Sequence, residues 1–369
     1  MAPANSPKPV SPAPRARLSG LRVVVAGAGA IGSAVALRLR DQGAWVLLAD
    51  PAPIGANASG VAAGMLAPAF EAALDSVATG HFELLRTARD LWPGLAGRVG
   101  LELDRPGALW VGDEASNAAM LDRLVRAGAW AEAMGAAEAR RLSPGLEAPA
   151  GAVFTPEDWT LDPGATLAAL QGAFEAAGGV VKAAAVTAWG AQGAVLSNGH
   201  VAAADVLVLA AGLAAEGLAS PPPELELLTP IKGQIVRLEV QAPRAGPVVR
   251  GEGVYVVPRA SGPLAGATME AGVRDIEVDP AAIEALRSGA ARLFPSLAGA
   301  KATGRAGIRA SAPDGLPLAG PSRTPGLWLA MGARRNGWLL APLIAEILAD
   351  RLAGAEGRPI AQLFDPGRF

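Results

Sequence analysis

The sequence predicts an α/β fold in which Rossmann-like elements at both ends of the chain flank an antiparallel sheet of the α+β type. Three observations predict it. A βαβ pattern with a G-x-G-x-x-G motif begins near residue 22, residues 225–275 alternate between apolar and polar side chains, and a strand followed by an apolar helix closes the chain. The length of 369 residues suits two domains, or one large domain with an insertion.

The N-terminal βαβ unit carries the strongest local signal. Its first strand, residues 23–26, leads into Gly27, Gly29 and Gly32, and a helix with one apolar face follows. Gly27 allows a tight turn, Gly29 lets the backbone approach a pyrophosphate, and Gly32 lets helix and strand pack closely. The helix N-terminus offers free N–H groups and a partial positive charge to the phosphates.

The second strand of this unit, residues 45–49, ends at the acidic residue Asp50. Its carboxylate can accept hydrogen bonds from a ribose diol and would repel a 2′-phosphate, which disfavours NADP. The complete unit therefore predicts a site for FAD or NAD, and the unit alone does not choose between them.

The other elements follow from periodicity and turn residues. Helical spacing extends over residues 81–99, 162–179 and about 280–293. The Asn198-Gly199 turn predicts paired strands on either side of it, and the apolar run Val206–Leu209 predicts a buried parallel strand.

The closing helix contains Pro342, which lacks a backbone N–H and is best tolerated in a first turn. The helix is therefore predicted to start close to Leu339. Just before it, Arg334 and Arg335 are adjacent in an otherwise apolar stretch. If the backbone before the helix is extended, the two side chains point in opposite directions. Arg335 is then expected to reach a ligand, and Arg334 to reach the sheet domain or solvent.

Composition excludes several classes of function. The net charge of −2 gives no reason to expect a nucleic acid or an anionic membrane as partner, and no apolar run reaches the roughly 18 residues of a membrane span. The absence of cysteine excludes disulfides, thiolate metal sites and a thioether link to a cofactor. The Pro- and Ala-rich residues 1–19 are predicted to form a disordered tail.

Several motifs together resemble the D-amino acid oxidase family of FAD-dependent amine oxidases, and its glycine oxidase branch most of all. They are the βαβ unit, "AAGMLAP" (62–68), "KGQ" (232–234), "YVVPR" (255–259), "GATM" (266–269), "AGIRASAPDGLPLAGP" (306–321) and "RNGWLLAP" (335–342). The resemblance implies a discontinuous FAD-binding domain (20–95, 155–218 and 302–369) and a substrate domain (96–154 and 219–301). It also implies that FAD, and not NAD, is the cofactor.

The resemblance implies a cofactor site made mostly of small residues. The expected residues are Gly27, Gly29, Ala30, Ile31, Gly32, Asp50, Ser59, Ala63, Gly64, Met65, Val186, Ala211, Gly212, Gly332, Asn336, Gly337 and Trp338.

An amino acid oxidase must hold a carboxylate, and an arginine does this with two parallel hydrogen bonds. Arg309 lies in an otherwise uncharged strand-like stretch and matches the family's carboxylate-binding arginine; the alternative is a surface arginine or one paired with Asp314. Tyr255, the only tyrosine, matches the residue whose hydroxyl also bonds the carboxylate, and otherwise packs across strands. Arg335 completes the expected catalytic set.

The substrate pocket is expected to include Met65, Met269, Ala333 and Arg334. Here the chain departs from the family pattern. The segment before Met269 is one residue shorter than expected, position 253 is glycine, position 333 is alanine, and Arg334 stands where an aromatic residue is usual. The implied substrate is therefore a small amino acid or secondary amine rather than glycine alone.

The function expected from these features is oxidation of glycine, sarcosine or small D-amino acids by non-covalently bound FAD, with dioxygen as acceptor and hydrogen peroxide as product. The resemblance further implies thiamine thiazole synthesis, a cytoplasmic location and a homotetramer. No metal site is expected, because the chain has no cysteine and only two histidines, neither in a recognisable motif. Two alternatives remain open. One is a D-amino acid or hydroxy-acid dehydrogenase that passes electrons to a quinone, and the other is a nucleotide-binding protein without turnover.

Overall fold

The computed structural model describes residues 17–240, 246–355 and 358–369. The α-helices are α1 (Ala30–Asp41), α2 (Ala58–Val61), α3 (Pro68–Leu74), α4 (Phe82–Asp90), α5 (Trp92–Val99), α6 (Glu114–Ala127), α7 (Ala136–Leu142), α8 (Pro163–Ala176), α9 (Pro280–Leu293) and α10 (Gly337–Leu352). The strands are β1 (Arg22–Ala26), β2 (Trp45–Ala49), β3 (Met65–Leu66), β4 (Ala108–Trp110), β5 (Glu132–Met134), β6 (Ala152–Thr155), β7 (Trp159–Thr160), β8 (Val180–Lys182), β9 (Val186–Gly190), β10 (Gly193–Leu196), β11 (Val201–Ala202), β12 (Val206–Leu209), β13 (Thr229–Glu239), β14 (Val248–Gly251), β15 (Val254–Val257), β16 (Leu264–Gly266), β17 (Glu270–Ala271), β18 (Lys301–Ser311), β19 (Leu318–Pro321) and β20 (Leu327–Met331).

A six-stranded sheet in the order β19-β20-β12-β1-β2-β8 organises one half of the molecule. Strand β1 is central and pairs in parallel with both β2 and β12. Its valines are fully buried, as expected for a parallel strand covered on both faces. Helices α1, α8 and α10 pack together beside this sheet. The Rossmann-like prediction is confirmed, and the strand at 206–209 has the predicted parallel pairing.

A second, mostly antiparallel sheet forms the other half, in the order β17-β13-β16-β15-β14-β4-β6-β5. Strand β18 joins it by pairing with β13 along eleven residues, from Thr229↔Ser311 to Glu239↔Lys301. Residues 302–311, which the resemblance assigned to the FAD-binding domain, therefore belong to this second sheet. The same strand carries Arg309, so the second sheet positions that side chain.

The first residues described also differ from the prediction of a tail. Residues 1–16 lie outside the described part of the chain, but Leu18 is 4% exposed and packs in the core below β1. Its backbone N–H donates to the carbonyl of Gln42. The buried leucine, this hydrogen bond and an ion pair between Arg17 and Asp350 together attach residues 17–18 to the rest of the protein. Among the residues described, no helix is long and apolar enough to cross a membrane.

The closing helix α10 starts at Gly337, two residues before the predicted start, so Pro342 lies inside the helix. Proline cannot donate to the carbonyl four residues earlier, which is that of Trp338. The buried indole of Trp92 donates to this carbonyl instead, at 3.1 Å from Nε1 to the oxygen. This replacement donor is the physical reason why the helix extends past the proline.

Replacing Trp92 with Phe should remove this donor and leave a buried carbonyl unpaired, at a cost of about 1–3 kcal/mol beyond the lost packing. In a Pro342→Ala background, the new backbone N–H can satisfy Trp338. The free energy of unfolding from chemical denaturation should therefore fall less for Trp92→Phe in that background than in the wild type. Equal losses in both backgrounds would show that the indole hydrogen bond does not compensate for Pro342.

Candidate functional site

Two adjoining cavities lie between the sheets. The long cavity, of about 890 Å³, extends from the glycine-rich loop after β1 to the start of α10. The inner cavity, of about 400 Å³, lies under strands β13 to β16. The residues that line both are Ala58, Val61, Ala62, Gly307, Arg309, Arg335 and Trp338. The two cavities therefore form a continuous space with cations at their junction.

The glycine-rich loop leaves room that any other residue would fill. Gly27 has φ 105°, and a Cβ there would lie 2.7 Å from the Ala210 carbonyl carbon. A Cβ at Gly29 would lie 2.9 Å from Ser59 Oγ, and one at Gly32 would overlap the Gly27 carbonyl. The N-cap residue Gly29 has no capping side chain, although Ser59 Oγ accepts from the N–H of Ala30, the first residue of α1, at 3.0 Å. The remaining N–H groups of the loop and of the first turn of α1 face the long cavity, a suitable cradle for a pyrophosphate.

The structure brings most of the expected cofactor residues together. Those lining the long cavity are Gly27, Gly29, Ala30, Ile31, Asp50, Ser59, Ala211, Gly212, Gly332, Gly337 and Trp338, and those lining the inner cavity are Ala63, Gly64, Met65, Asn336 and Trp338. Gly32 lies behind the loop, and Val186 starts strand β9; neither is among the lining residues of either cavity.

Arg309 is the cation that is most available at the junction of the cavities. Its guanidinium passes over Gly233, where a Cβ would overlap it, and donates to the Thr268 carbonyl at 3.4 Å. Burial lowers the pKa of Arg309 from its usual value. Among the described residues no carboxylate lies within 4 Å of it, and Asp314 pairs with Arg368 instead. A buried guanidinium without an acidic partner among the described residues is suited to bind an anionic ligand.

Tyr255 lies in the inner cavity on β15 and is 9% exposed. Burial raises the pKa of its hydroxyl, although the nearby guanidinium of Arg309 opposes that effect. A Cβ at Gly266 would lie only 2.5 Å from the phenol oxygen. The neutral hydroxyl is thus held close to Arg309, where it can donate a hydrogen bond to an anion.

Arg334 and Arg335 both turn towards helix α3. Arg335 Nε lies 2.7 Å from Glu71 Oε2, and Arg334 forms an ion pair with Asp75. The expectation that Arg334 reaches the sheet domain or solvent is wrong, because its backbone is left-handed (φ 50°) rather than extended. Arg335 lines both cavities, whereas Arg334 lines only the long one.

The other expected pocket residues are also at the cavities. Met65 and Met269 line the inner cavity, and Met269 Sδ is 3.4 Å from Arg309 Nη1. Ala333 is buried and lines the long cavity. Met269 is nevertheless 39% exposed, so it lies at the edge of the pocket.

Three charged residues of the site were missed by the sequence analysis: Glu71, Asp75 and Arg250. Glu71 lies in α3, and Asp75 is the residue directly after the end of this helix, four positions later. Their position just after "AAGMLAP" was a usable signal. Arg250 is 3% exposed on β14, where it pairs directly with Tyr255. The position of Arg250 opposite Tyr255 follows only from the register of the β14–β15 hairpin.

Helix α3 is fixed by a buried carboxylate. Asp158 accepts hydrogen bonds from the backbone N–H groups of Ala69 (2.9 Å) and Phe70 (3.3 Å). Burial raises the pKa of Asp158 to about 7, although Arg250 and these hydrogen bonds oppose the shift. Asp158 therefore holds the N-terminus of the helix that presents Glu71 and Asp75 to the arginines.

Comparison with known proteins decides the family. The model of the DAO family, described as FAD dependent oxidoreductase, matches residues 22–351. The chain belongs to this family of FAD-dependent oxidoreductases. FAD is accordingly its cofactor, and the crystal structure of glycine oxidase from Geobacillus kaustophilus is similar to it with a TM-score of 0.82, 28% identity, and coverage of 95% of this chain and 99% of that one.

Individual relatives of this oxidoreductase carry different names. The glycine oxidase of Pseudomonas putida is 31% identical and covers 91% of this chain and 95% of its own length. The bifunctional proteins ThiO/ThiG of Nostoc sp. and MnmC of Caulobacter sp. are 31% and 32% identical, each over 94% of this chain. The chain spans only 55% and 57% of the length of those two proteins.

The residues of the long cavity fit FAD. The loop Gly27–Gly29 and the N-terminus of α1 would hold the pyrophosphate, and the junction of the two cavities would hold the ring system. Asp50 lines the cavity beside the loop, where its two oxygens accept from the N–H groups of Ala28 (2.7 Å) and Ala52 (2.9 Å). A carboxylate oxygen has more than one lone pair, so Asp50 can still accept from a ribose diol.

Replacing Asp50 with Ala should weaken FAD binding by about 1.5–3 kcal/mol, the value of one hydrogen-bonded contact to a charged group. The dissociation constant is measured by reconstituting the apoprotein with FAD. Arg126→Ala, on the exposed face of α6, is the control and should leave FAD affinity unchanged. Unchanged affinity in Asp50→Ala would remove Asp50 from the ribose site.

Proposed function

We propose that this protein is an amino acid oxidase acting on glycine, sarcosine or small D-amino acids. The observation that carries the proposal is the pair formed by Arg309, at the junction of the two cavities, and Tyr255 in the inner cavity. A guanidinium without an acidic partner among the described residues, beside a buried neutral hydroxyl, suits a single carboxylate. The similarity to glycine oxidases over nearly the whole chain supports the same substrate class.

The residues of the chain bind and orient the substrate. Arg309 and Tyr255 would hold the carboxylate, which places the α-carbon in the space where the two cavities join. FAD supplies the two-electron oxidant when bound, accepting a hydride from the α-carbon of the neutral amine. The imine product hydrolyses in water to an oxo acid and ammonia, or to an amine where the nitrogen was substituted. Walls formed by Met65 and Trp338 limit water around the reacting carbon.

Oxygen consumption with glycine, sarcosine and D-alanine tests the proposal, and peroxide is measured in the same samples. An oxidase gives one hydrogen peroxide for each dioxygen consumed. Turnover with a soluble quinone but without peroxide would instead identify a dehydrogenase. Protein-bound FAD that stays oxidised with every amine and hydroxy acid would identify a binding protein without turnover.

The wider role is also part of this proposal. Similarity to a ThiO/ThiG protein supports a role in making the thiazole ring of thiamine, where the glyoxylate imine would be used. We further propose a cytoplasmic homotetramer and non-covalent FAD, since the chain has no cysteine for a thioether link. Light scattering of the purified protein measures the oligomeric state, and acid precipitation should release all the flavin into the supernatant.

A further inference from the structure

The inner cavity contains a second arginine that binding of one carboxylate does not require. Arg250 lines this cavity and is 3% exposed, so its guanidinium is withdrawn from bulk water. It lies over the ring of Phe70, at 5.3 Å from the centroid, and near the ring of Tyr255, at 6.0 Å. A charge buried to this degree is costly unless it has a well-placed partner.

The partners that Arg250 has within the described residues are weak. Its Nη2 lies 3.3 Å from Glu71 Oε1 and 3.4 Å from Met65 Sδ. Its Nε is buried and has no hydrogen-bond partner. Glu71 Oε1 also accepts from Arg335 Nη2 at 3.2 Å, and Glu71 Oε2 lies 2.7 Å from Arg335 Nε without accepting a hydrogen bond. The single charge of Glu71 is thus shared between two guanidinium groups.

Arg250 is on the same side of the sheet as the carboxylate-binding residues. It is the direct partner of Tyr255 in the β14–β15 pairing, so the two side chains project from the same face. The turn that joins these strands contains Gly253, around which a Cβ would meet nothing within 4 Å. Tyr255, Arg250 and the glycines of this turn all line the inner cavity, so a substrate longer than glycine can extend from Tyr255 towards Arg250.

The acidic groups near Arg250 do not cancel the positive charge of the inner cavity. Glu252 lies at the cavity rim and is exposed, so water and salt screen it. Asp158 is buried nearby, and both its oxygens are already bonded to the backbone of α3. The guanidinium groups of Arg250, Arg309 and Arg335 thus face the cavity together with the single buried carboxylate of Glu71.

We propose that Arg250 is a specificity-determining residue that makes this enzyme prefer amino acids with a second carboxylate. Arg309 and Tyr255 hold the α-carboxylate, and Arg250 binds the second one in the inner cavity. The inference rests on the proposed amino acid oxidation and narrows its substrate class. The second carboxylate belongs either to a short side chain, as in D-aspartate, or to the nitrogen substituent, as in iminodiacetate.

The test compares matched substrates with the wild-type holoenzyme. D-Aspartate and D-asparagine have nearly the same shape and differ in the charge of the side chain. Iminodiacetate and sarcosine differ in whether the substituent on the nitrogen carries a carboxylate. One charged hydrogen-bonded contact predicts a kcat/KM at least about 10-fold higher for the dicarboxylate of one pair. Equal or higher values for both D-asparagine and sarcosine would overturn the inference. If no amino acid is oxidised at all, the proposed function itself fails.

A binding measurement without turnover supports the assignment to Arg250. Succinate and butyrate are titrated into the holoenzyme, and the dissociation constant of each is read from the change in the flavin absorbance. Succinate should bind at least about 10-fold more tightly in the wild type. In Arg250→Met this preference should fall to near unity, whereas Arg250→Lys should keep part of it and Arg126→Met all of it.

Glu71→Gln is a second variant, in which the preference for succinate should change in the opposite direction. It keeps the inference testable if Arg250→Met does not fold. Removing the competing charge should strengthen the preference for succinate over butyrate, since Arg250 then has no carboxylate of its own. A preference that persists in Arg250→Met, or that falls in Glu71→Gln, would assign the second carboxylate to another cation.

Discussion

Arg309→Ala should raise the KM for amino acids sharply and lower kcat/KM by roughly 30-fold to several thousand-fold. Truncating one partner of a buried charged pair costs about 2–5 kcal/mol, which converts to this range. The effect is expected because Arg309 has no acidic partner among the described residues and lies at the junction of the two cavities. Steady-state kinetics with glycine and D-alanine measure it.

The control for this prediction is a substrate without the carboxylate. Glycinamide replaces the carboxylate of glycine with a neutral amide, so any turnover of it should depend much less on Arg309. Arg237→Ala changes an arginine of strand β13, which pairs with the strand of Arg309, and should leave both substrates unaffected because Arg237 lines neither cavity. Equal losses for glycine and glycinamide in Arg309→Ala would make Arg309 a structural residue.

Arg335→Ala should slow flavin reduction by glycine at least about tenfold, which corresponds to about 1.4 kcal/mol in the barrier. Arg335 is the cation at the start of α10 that lines both cavities, so it can stabilise the negative charge that develops on reduction. Its removal should also lower the flavin reduction potential. Stopped-flow absorbance and a redox titration measure the two effects.

Arg334→Ala is the matched comparison, since the two arginines are neighbours and both form ion pairs near the end of α3, Arg334 with Asp75 and Arg335 chiefly with Glu71. Arg334 stands where the family pattern usually has an aromatic residue of the substrate pocket, so its loss should change which side chains are accepted more than the rate with glycine. It is in an ion pair with Asp75 and lines only the long cavity. A slow reduction in Arg334→Ala together with a normal one in Arg335→Ala would reverse the two roles.

The parts of the fold that are local in sequence could be predicted. The unit Arg22–Asp50 contains its own strands, glycines and terminal acid, and each is found where the motif requires it. The strand Val206–Leu209 could be recognised because a short apolar run suits a strand buried on both faces. Motifs around Arg309 and Tyr255 likewise identified side chains that the structure brings to one cavity.

The parts that failed depend on partners distant in sequence. Helix α10 begins two residues before the predicted start, and the donor that replaces the missing N–H of Pro342 comes from Trp92, about 250 residues earlier. The resemblance places residues 302–311 with the FAD-binding segments, and only the pairing of β18 with β13 reveals that they join the second sheet. Glu71 and Arg250 are 179 residues apart, so their shared position in the site had no local signal.

Anaerobic titration of the holoenzyme with amino acids tests the central claim most directly. An amino acid oxidase predicts that glycine, sarcosine or a D-amino acid bleaches the oxidised flavin band completely, and that Arg309→Ala requires far higher concentrations for the same bleaching. If the flavin band stays unchanged with all of these compounds while FAD remains bound, the assignment of this site to amino acid oxidation is wrong.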